Sequence, residues 1–386
     1  MIAAELTATR QLAQRRFERP LISAFLDLDP ARFATGPARA TEINSLLDQA
    51  QQLLHAQPLE HQDRLALEQD IKRIAGYLTA ELDPSGAHGV AIYCSSRESL
   101  FETIRLSNPV ASEIVIETIP RLEPLLPPPE PACVCVTLVN RRDARFFIPR
   151  GGSKVGEHHL EEQLHDEVHG QHRQGGWSEA NYERSIEADV DAHLRRCASR
   201  LYELWRSAKF DRLVLGGPHE LVTRFTLELH PDVRGVLDEA EIALDVNTAS
   251  APEIDEALMP LRQRWRELAQ WDALQRLLST MDVRDGTSVG IPDTLAALGR
   301  RQVGSLVLGP RADAEGCACP QCGQLFVADK GSRCEADGAE LRPVHSLRSA
   351  MIRSAVRQDA EVIVLGDYDD RPEIAAFSGV GAILRY

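Results

Sequence analysis

The chain has 386 residues, more than one ordinary domain holds, which argues for roughly two to three domains. Apolar residues make up 43% and charged residues 26%, the balance of a globular protein with several cores, and no run of about 18 apolar residues exists to span a membrane. The formal net charge of −15 opposes nucleic acid as a partner unless basic residues are segregated onto particular faces, for which Arg141, Arg142, Arg145, Arg150 and Lys154 are candidates.

Met1 to Arg16 reads as a helix carrying Glu5, Arg10, Arg15 and Arg16. It lacks the apolar core of a signal peptide, so the cytoplasm is the expected compartment. Leu21–Leu28 reads as a strand, punctuated by Asp29-Pro30. Thr41 to Leu54 and Gln62 to Leu78 are expected helices from their recurring Leu and Ile. Val90–Cys94 reads as a short buried strand. The proline run Pro127-Pro128-Pro129-Glu130-Pro131 is stiff and poor in backbone donors, so it reads as a linker.

Ala132–Asn140 and Ala144–Ile148 form an expected hairpin about a turn at Arg141–Asp143. Cys133 and Cys135 share a strand face there and read as core thiols. A polar stretch from His158 to Gly176 carries His158, His159, His165, His169 and His172. It reads as an RNA-facing segment that orders on binding, with a shared helical face for His165 and His169 as the metal alternative. A long helix starts about Ser178, a candidate N-cap, with Ile186, Val190, Leu194, Leu201 and Leu204 as its buried stripe. Arg212–Leu215 is a strand closed by a tight turn at Gly216-Gly217-Pro218, and Glu253 to Leu278 is another long helix.

The last stretch alternates: helix Ile291–Arg300, strand Ser305–Leu308, helix Ser346–Gln358, strand Glu361–Leu365, and a closing strand Val380–Tyr386. That order argues for an α/β layer with parallel strands. The expected fold class is therefore α/β in three domains. Residues 1–130 form an α+β domain, 131–262 a mixed-sheet middle domain with long helices, and 263–386 an α/β domain with a zinc-knuckle-like insert at 317–338.

Of eight cysteines, Cys317, Cys319, Cys322 and Cys334 crowd into that insert, the pattern of a metal site and not of a disulfide framework. Cys319-Pro320-Gln321-Cys322-Gly323 is one knuckle: two cysteines three apart on a turn aim both thiolates at one ion, and glycine allows the turn. In the second half, Cys334-Glu335-Ala336-Asp337-Gly338, an aspartate stands where the second cysteine would be. The expected structural zinc ligands are Cys319, Cys322, Cys334 and Asp337, with Cys317 as the alternative fourth. Four filled positions leave none for substrate.

Gln171-His172-Arg173-Gln174-Gly175-Gly176-Trp177-Ser178 precedes the long helix. Adjacent glycines let backbone approach another molecule, and the helix N-terminus adds donor N–H groups. With Ser178, Tyr182 and Arg184 following, this stretch resembles the peptidyl-transferase-centre loop of the class-I release factor and Pelota superfamily. Pro292 to Leu298, Val303, Leu306–Leu308 and the ending Gly379-Val380-Gly381-Ala382-Ile383-Leu384-Arg385-Tyr386 resemble that superfamily's C-terminal domain. The N-terminal stretch has no Asn-Ile-Lys-Ser codon-reading sequence. It is more similar to the divergent bacterial branch, which includes hydrolases of stalled-ribosome peptidyl-tRNA and the hibernation factor Balon.

The resemblance implies that Gly175, Gly176, Trp177 and Gln174 lie at the peptidyl-transferase centre. It also implies contacts to ribosomal RNA and the P-site tRNA end through Gln171, His172, Arg173, Arg184, Arg141 and Arg142. It further implies a monomer and an elongation-factor-type GTPase partner; neither membrane nor DNA is expected. The chain has no P-loop of its own. Superfamily release factors carry Gly-Gly-Gln, whose amide offers an acceptor and two donors; Trp177 has one N–H and no acceptor. Hydrolysis is therefore open: Gln174 or Gln171 can substitute, or the backbone N–H of residue 177 can serve the oxyanion. Trp177 can instead stack on a base or pack back on its own domain. Three readings follow: a ribosome rescue or release factor, a non-catalytic hibernation or occupancy factor, and a zinc-containing RNA-binding protein unrelated to the ribosome.

Overall fold

The computed structural model describes residues 2–29, 32–33, 35–131, 133–149, 159–165, 177–280, 286–310, 312–328, 331–366 and 379–385. They divide into two compact units, Met1–Pro128 with Glu267–Tyr386, and Pro129–Arg266.

The first unit opens with α1 (Ile2–Gln14), β1 (Leu21–Asp27), α2 (Gly36–Ala56), α3 (His61–Gly76), β2 (Gly89–Ser95), β3 (Leu100–Leu106) and β4 (Glu113–Glu117). The strands form an antiparallel sheet in the order β3-β2-β1-β4. β1 and β2 are buried along their whole length because both faces are covered. Ile22, Ala24, Leu26, Val90 and Ile92 face a core built with Ile43 and Leu46 of α2 and Leu67, Ile71 and Ile74 of α3. The alternate residues Leu21, Phe25, Ala91 and Tyr93 face a second core with Leu12 of α1. Helix α2 starts earlier than its leucines imply, since the Thr35 hydroxyl accepts from Ala38 N at 3.4 Å and proline sits in the first turn. The sequence reading missed β3 and β4, whose glutamates and arginine interrupt the apolar run.

The second unit holds β5 (Val134–Val139), β6 (Asp143–Pro149), β7 (His159–His165), α4 (Trp177–Ala208), β8 (Arg212–Gly216), α5 (His219–Glu228), α6 (Pro231–Arg234), β9 (Leu237–Ile242) and the first half of α7 (Ala251–Thr280). Its sheet is mixed, in the order β7-β6-β5-β8-β9, with β5, β8 and β9 parallel and β6 and β7 antiparallel. The expected hairpin is β5–β6, and Asn140 Oδ1 forms its turn by accepting from Arg142 N at 2.8 Å and Asp143 N at 2.7 Å. The stripe Ile186, Val190, Leu194, Leu201 and Leu204 of α4 is buried against Cys135, Phe146 and Leu213. At Gly216 and Gly217 the strand end leaves no room for a side chain. A Cβ would lie 2.7 Å from Ile242 O at the first and, with φ at +132°, 2.1 Å from Val139 O at the second.

Helix α4 begins at Trp177, so Ser178 lies inside it and is not its N-cap. His165 ends strand β7 opposite Asp143, so it shares no helical face with His169, which lies outside the described residues.

The chain returns to the first unit along the second half of α7, where Ala273, Leu274 and Leu277 pack on Val307 and Ile363. Then follow β10 (Thr287–Val289), α8 (Ile291–Gly299), β11 (Val303–Leu308), β12 (Gly316–Ala318), β13 (Leu325–Val327), β14 (Arg342–Val344), α9 (Leu347–Arg357), β15 (Glu361–Val364) and β16 (Val380–Leu384). β11 and β15 are parallel as expected, while β16 runs antiparallel between β10 and β11. Helices α8 and α9 bury Leu295, Leu298, Leu347, Met351 and Ile352 in the same core as Leu12, Phe25 and Tyr93. Buried Arg348 of α9 joins the two segments of the unit. It grips Glu123 with two bonds of 2.6 and 2.8 Å, and its Nη1 donates to Gly309 O at 2.6 Å. Among the described residues no helix is long and apolar enough to cross a membrane.

Candidate functional site

The insert is a small antiparallel sheet, β13-β12-β14, with two tight turns hung from it. The turns repeat one pattern. In the first, Cys319 N donates to Gln324 O at 2.8 Å and Gly323 N to Cys319 O at 3.0 Å. In the second, Cys334 N donates to Ala339 O at 2.8 Å and Gly338 N to Cys334 O at 2.9 Å. Gly323 and Gly338 take φ of +78° and +75°, which favours glycine at each turn's close. The repeat explains why Asp337 holds the place of a second cysteine: it is the fourth residue of the same turn.

These turns bring Cys319, Cys322, Cys334 and Asp337 together, one ligand atom from each lying within 4.8 Å of the others. Cys322 Sγ and Cys334 Sγ are 3.6 Å apart, and Cys319 Sγ is 3.2 Å from Asp337 Oδ2. A tetrahedral zinc with Zn–S bonds of about 2.3 Å sets ligand separations of roughly 3.8 Å, so this donor set fits the ion. The Ala339 N–H at 3.0 Å, with Cys319 beside it, holds the Asp337 carboxyl down to about 2. Cys317 is absent from this group of four; it sits on β12 and packs at the edge of the insert's core of Cys319, Phe326, Cys334 and Leu341.

The second expected site lies at the start of α4. Gln171, His172, Arg173, Gln174, Gly175 and Gly176 lie outside the described residues, and the helix opens at Trp177. Arg184 follows on the helix, exposed. Among the residues offered as a basic face, Arg141 is 3.1 Å from Glu187, and Glu187 also binds Arg224 at 2.6 Å. Arg145 donates to Val246 O and Ala249 O, both at 2.9 Å, and stacks on Phe147, so it ties down structure. Arg142 is exposed, while Arg150 and Lys154 lie outside the described residues. Cys133 and Cys135 pack in one core, where burial pushes the Cys135 thiol up to about 12, far from a reactive thiolate.

Residues 120–263 match the family model described as bacterial archaeo-eukaryotic release factor family 10, a span that takes in nearly all of the second unit. That stretch of the second unit is similar to the bacterial archaeo-eukaryotic release factors. The resemblance to the release factor and Pelota superfamily is borne out by this match. No curated protein matches the chain. Solved structures that align with it include an archaeal translation termination factor, aRF1, at 16% identity over 99% of this chain and 98% of that one, with a TM-score of 0.27. Archaeoglobus fulgidus Pelota aligns at 12% identity over 77% and 79%, with a TM-score of 0.40. S. cerevisiae Dom34, described as interacting with Hbs1, aligns at 10% over 77% and 79%, with a TM-score of 0.33. At these scores the alignments carry no argument about function.

In the second unit the core is that of a scaffold. The mixed sheet and the stripe of α4 hold the helix whose first residue is Trp177. The sequence reading missed one partner of the knuckle: Arg16 Nη2 donates to Gln321 O at 3.0 Å and Nη1 to Pro320 O at 3.5 Å. Nothing in the sequence links position 16 to position 320, because no motif spans that distance.

Proposed function

We propose that the chain is a ribosome A-site-binding translation factor of the release-factor and Pelota type, acting in ribosome rescue or peptidyl-tRNA release. The family match over residues 120–263 carries this reading, because that stretch contains Gly175-Gly176-Trp177 immediately at the start of α4. In this reading the glycine pair lets the backbone approach the P-site tRNA end, and the N-terminus of α4 offers donor N–H groups to an oxyanion or a phosphate. Gln171, His172, Arg173, Arg184 and Arg142 contact RNA. Gln174, or the backbone N–H of residue 177, takes the part of the missing glutamine. The cysteine–aspartate cluster holds a structural zinc that joins the two knuckle turns and supplies no reaction. Delivery by an elongation-factor-type GTPase belongs to the same proposal.

Trp177 itself favours a second reading, an occupancy factor for idle or stalled ribosomes. An indole has no acceptor to position water, yet it stacks on a base with about 1–3 kcal/mol. Ribosome co-sedimentation coupled to a peptidyl-tRNA hydrolysis assay separates the two, with wild type, Trp177→Gln and Trp177→Ala compared. Binding with peptide release by wild type supports the release reading. Binding without release, weakened roughly 5- to 150-fold in Trp177→Ala, supports the occupancy reading. No binding to any ribosome population rejects both.

A further inference from the structure

The first unit holds a cleft of about 150 Å³ between the end of α1, strand β14 and helix α9, lined by Arg16, Arg342, Arg353 and Arg357 with Glu18 on its wall. That volume is below the roughly 300–1,000 Å³ of pockets that enclose a drug-sized ligand, so its occupant is a small group. Four cations converge on it, and among the described residues none of the four has a carboxylate within ion-pair distance. Their donors are only partly used. Arg353 Nε donates to Ala13 O at 3.1 Å and its Nη2 to Arg15 O, which leaves Nη1. Arg16 spends its terminal nitrogens on the knuckle carbonyls of Pro320 and Gln321. Arg357, half-buried, and Arg342, exposed, make no hydrogen bond to the described residues through their guanidinium groups. The Arg357 guanidinium reaches the first knuckle, where a Cβ on Gly323 would lie 3.5 Å from its Nη1.

Like charges crowded in this way raise one another's energy. Burial, then Arg357 and Arg16, pushes Arg353 down to about 10; burial, then Arg16 and Arg301, lowers Arg357. Both stay charged at neutral pH. Unpaired guanidinium forks around a small cleft match the planar, bidentate geometry of phosphate oxygens. We propose that this cleft binds a phosphate group, held by Arg357 and Arg342 and by the remaining Nη1 of Arg353. Its source is either a free phosphate or diphosphate or the backbone of an RNA strand; the chemistry of recognition is shared. The proposal uses none of the residues at the start of α4 and stands whether or not the chain acts on ribosomes.

The test uses the full, zinc-loaded chain in two arms. Calorimetric titration with inorganic phosphate and pyrophosphate reads the free anion, and anisotropy with a short single-stranded RNA lacking a terminal phosphate reads the backbone. Arg357→Gln and Arg342→Gln are the variants, each checked for unchanged circular dichroism and zinc content. Saturable binding of one anion per chain, weakened about tenfold or more by each variant, supports the site with a free anion as its source. RNA binding weakened to the same degree, without anion binding, supports it with RNA as the source. Absence of saturable binding in both arms, or affinities unchanged in both variants, overturns the proposal. So does a variant that loses zinc while neither probe binds wild type, since the arginines then serve only to balance the thiolates.

Discussion

Asp238 shows what a single buried charge does in the second unit. It receives Ala240 N at 3.0 Å, Trp265 Nε1 at 2.6 Å and the Arg264 guanidinium. Burial by itself raises this carboxyl, and the three donors overcome burial and hold it below the usual carboxylate range. The sign follows from linkage. A folded-state value below the unfolded one contributes stability that is full above the unfolded value near 4, and is lost as pH falls through the folded value. Asp238→Asn removes the charge and turns an amide toward donors, at a loss of about 1.5–3 kcal/mol at neutral pH. Denaturant unfolding at pH 7 and pH 3 checks this: the gap between wild type and variant narrows in acid. An equal gap at both pH values rejects the assignment. None of this was legible in the sequence, where Asp238 of β9 and the neighbours Arg264 and Trp265 of α7 are ordinary residues on two separate elements.

At the scale of the element, the knuckle insert was the most legible part of the chain, because its ligands lie close in sequence and its turn chemistry is local. Its sheet strands are three residues each, and its own core is four buried side chains. So little apolar surface gives little stability, and a metal is the natural cross-link. Zinc analysis of the purified chain is expected to return one ion per chain. Asp337→Ala lowers zinc affinity by tenfold or more, and Asp337→Cys retains it. Chelation lowers the unfolding temperature of wild type and not that of a variant lacking Cys319 and Cys334. Metal-free protein from zinc-replete growth, or an unchanged affinity in Asp337→Ala, rejects the cluster as a zinc site. The helices were legible for a similar reason: the stripe of α4 repeats over several turns. Strands β3, β4 and β9 were not, because half-exposed strands carry charged residues that a short apolar window discards.

Across the first unit, the packing of the two ends of the chain on one core rests on apolar contact and on the Arg348–Glu123 pair. Arg348 is buried, Glu123 is partly buried with 23% of its side chain exposed, and their two-pronged contact is supported by Gly309 O. Removing one partner strands the other. Arg348→Met is therefore expected to destabilise by about 3–5 kcal/mol, and Arg348→Met with Glu123→Leu recovers most of that loss. A double-mutant cycle in denaturant measures the coupling, and a single variant within about 0.5 kcal/mol of wild type shows that the apolar core alone joins the segments. The net charge of −15 is consistent with nucleic-acid or phosphate binding only through local segregation, and the arginine cleft by α9 supplies such a place.

Local spacing encodes the α/β class, the helical stripes, the β5–β6 hairpin, the paired knuckle turns with aspartate in a cysteine position, and the Gly-Gly-Trp stretch. These depend on residues within a few turns of one another, so their geometry is set by backbone periodicity and turn chemistry. Long-range packing sets the rest: β16 inserts antiparallel between β10 and β11, Arg141 and Arg145 are bound to Glu187 and to backbone carbonyls, and Arg16 joins Arg353 and Arg357. Charges of one sign meet or separate in space according to which elements share a core, and no spacing along the chain records that.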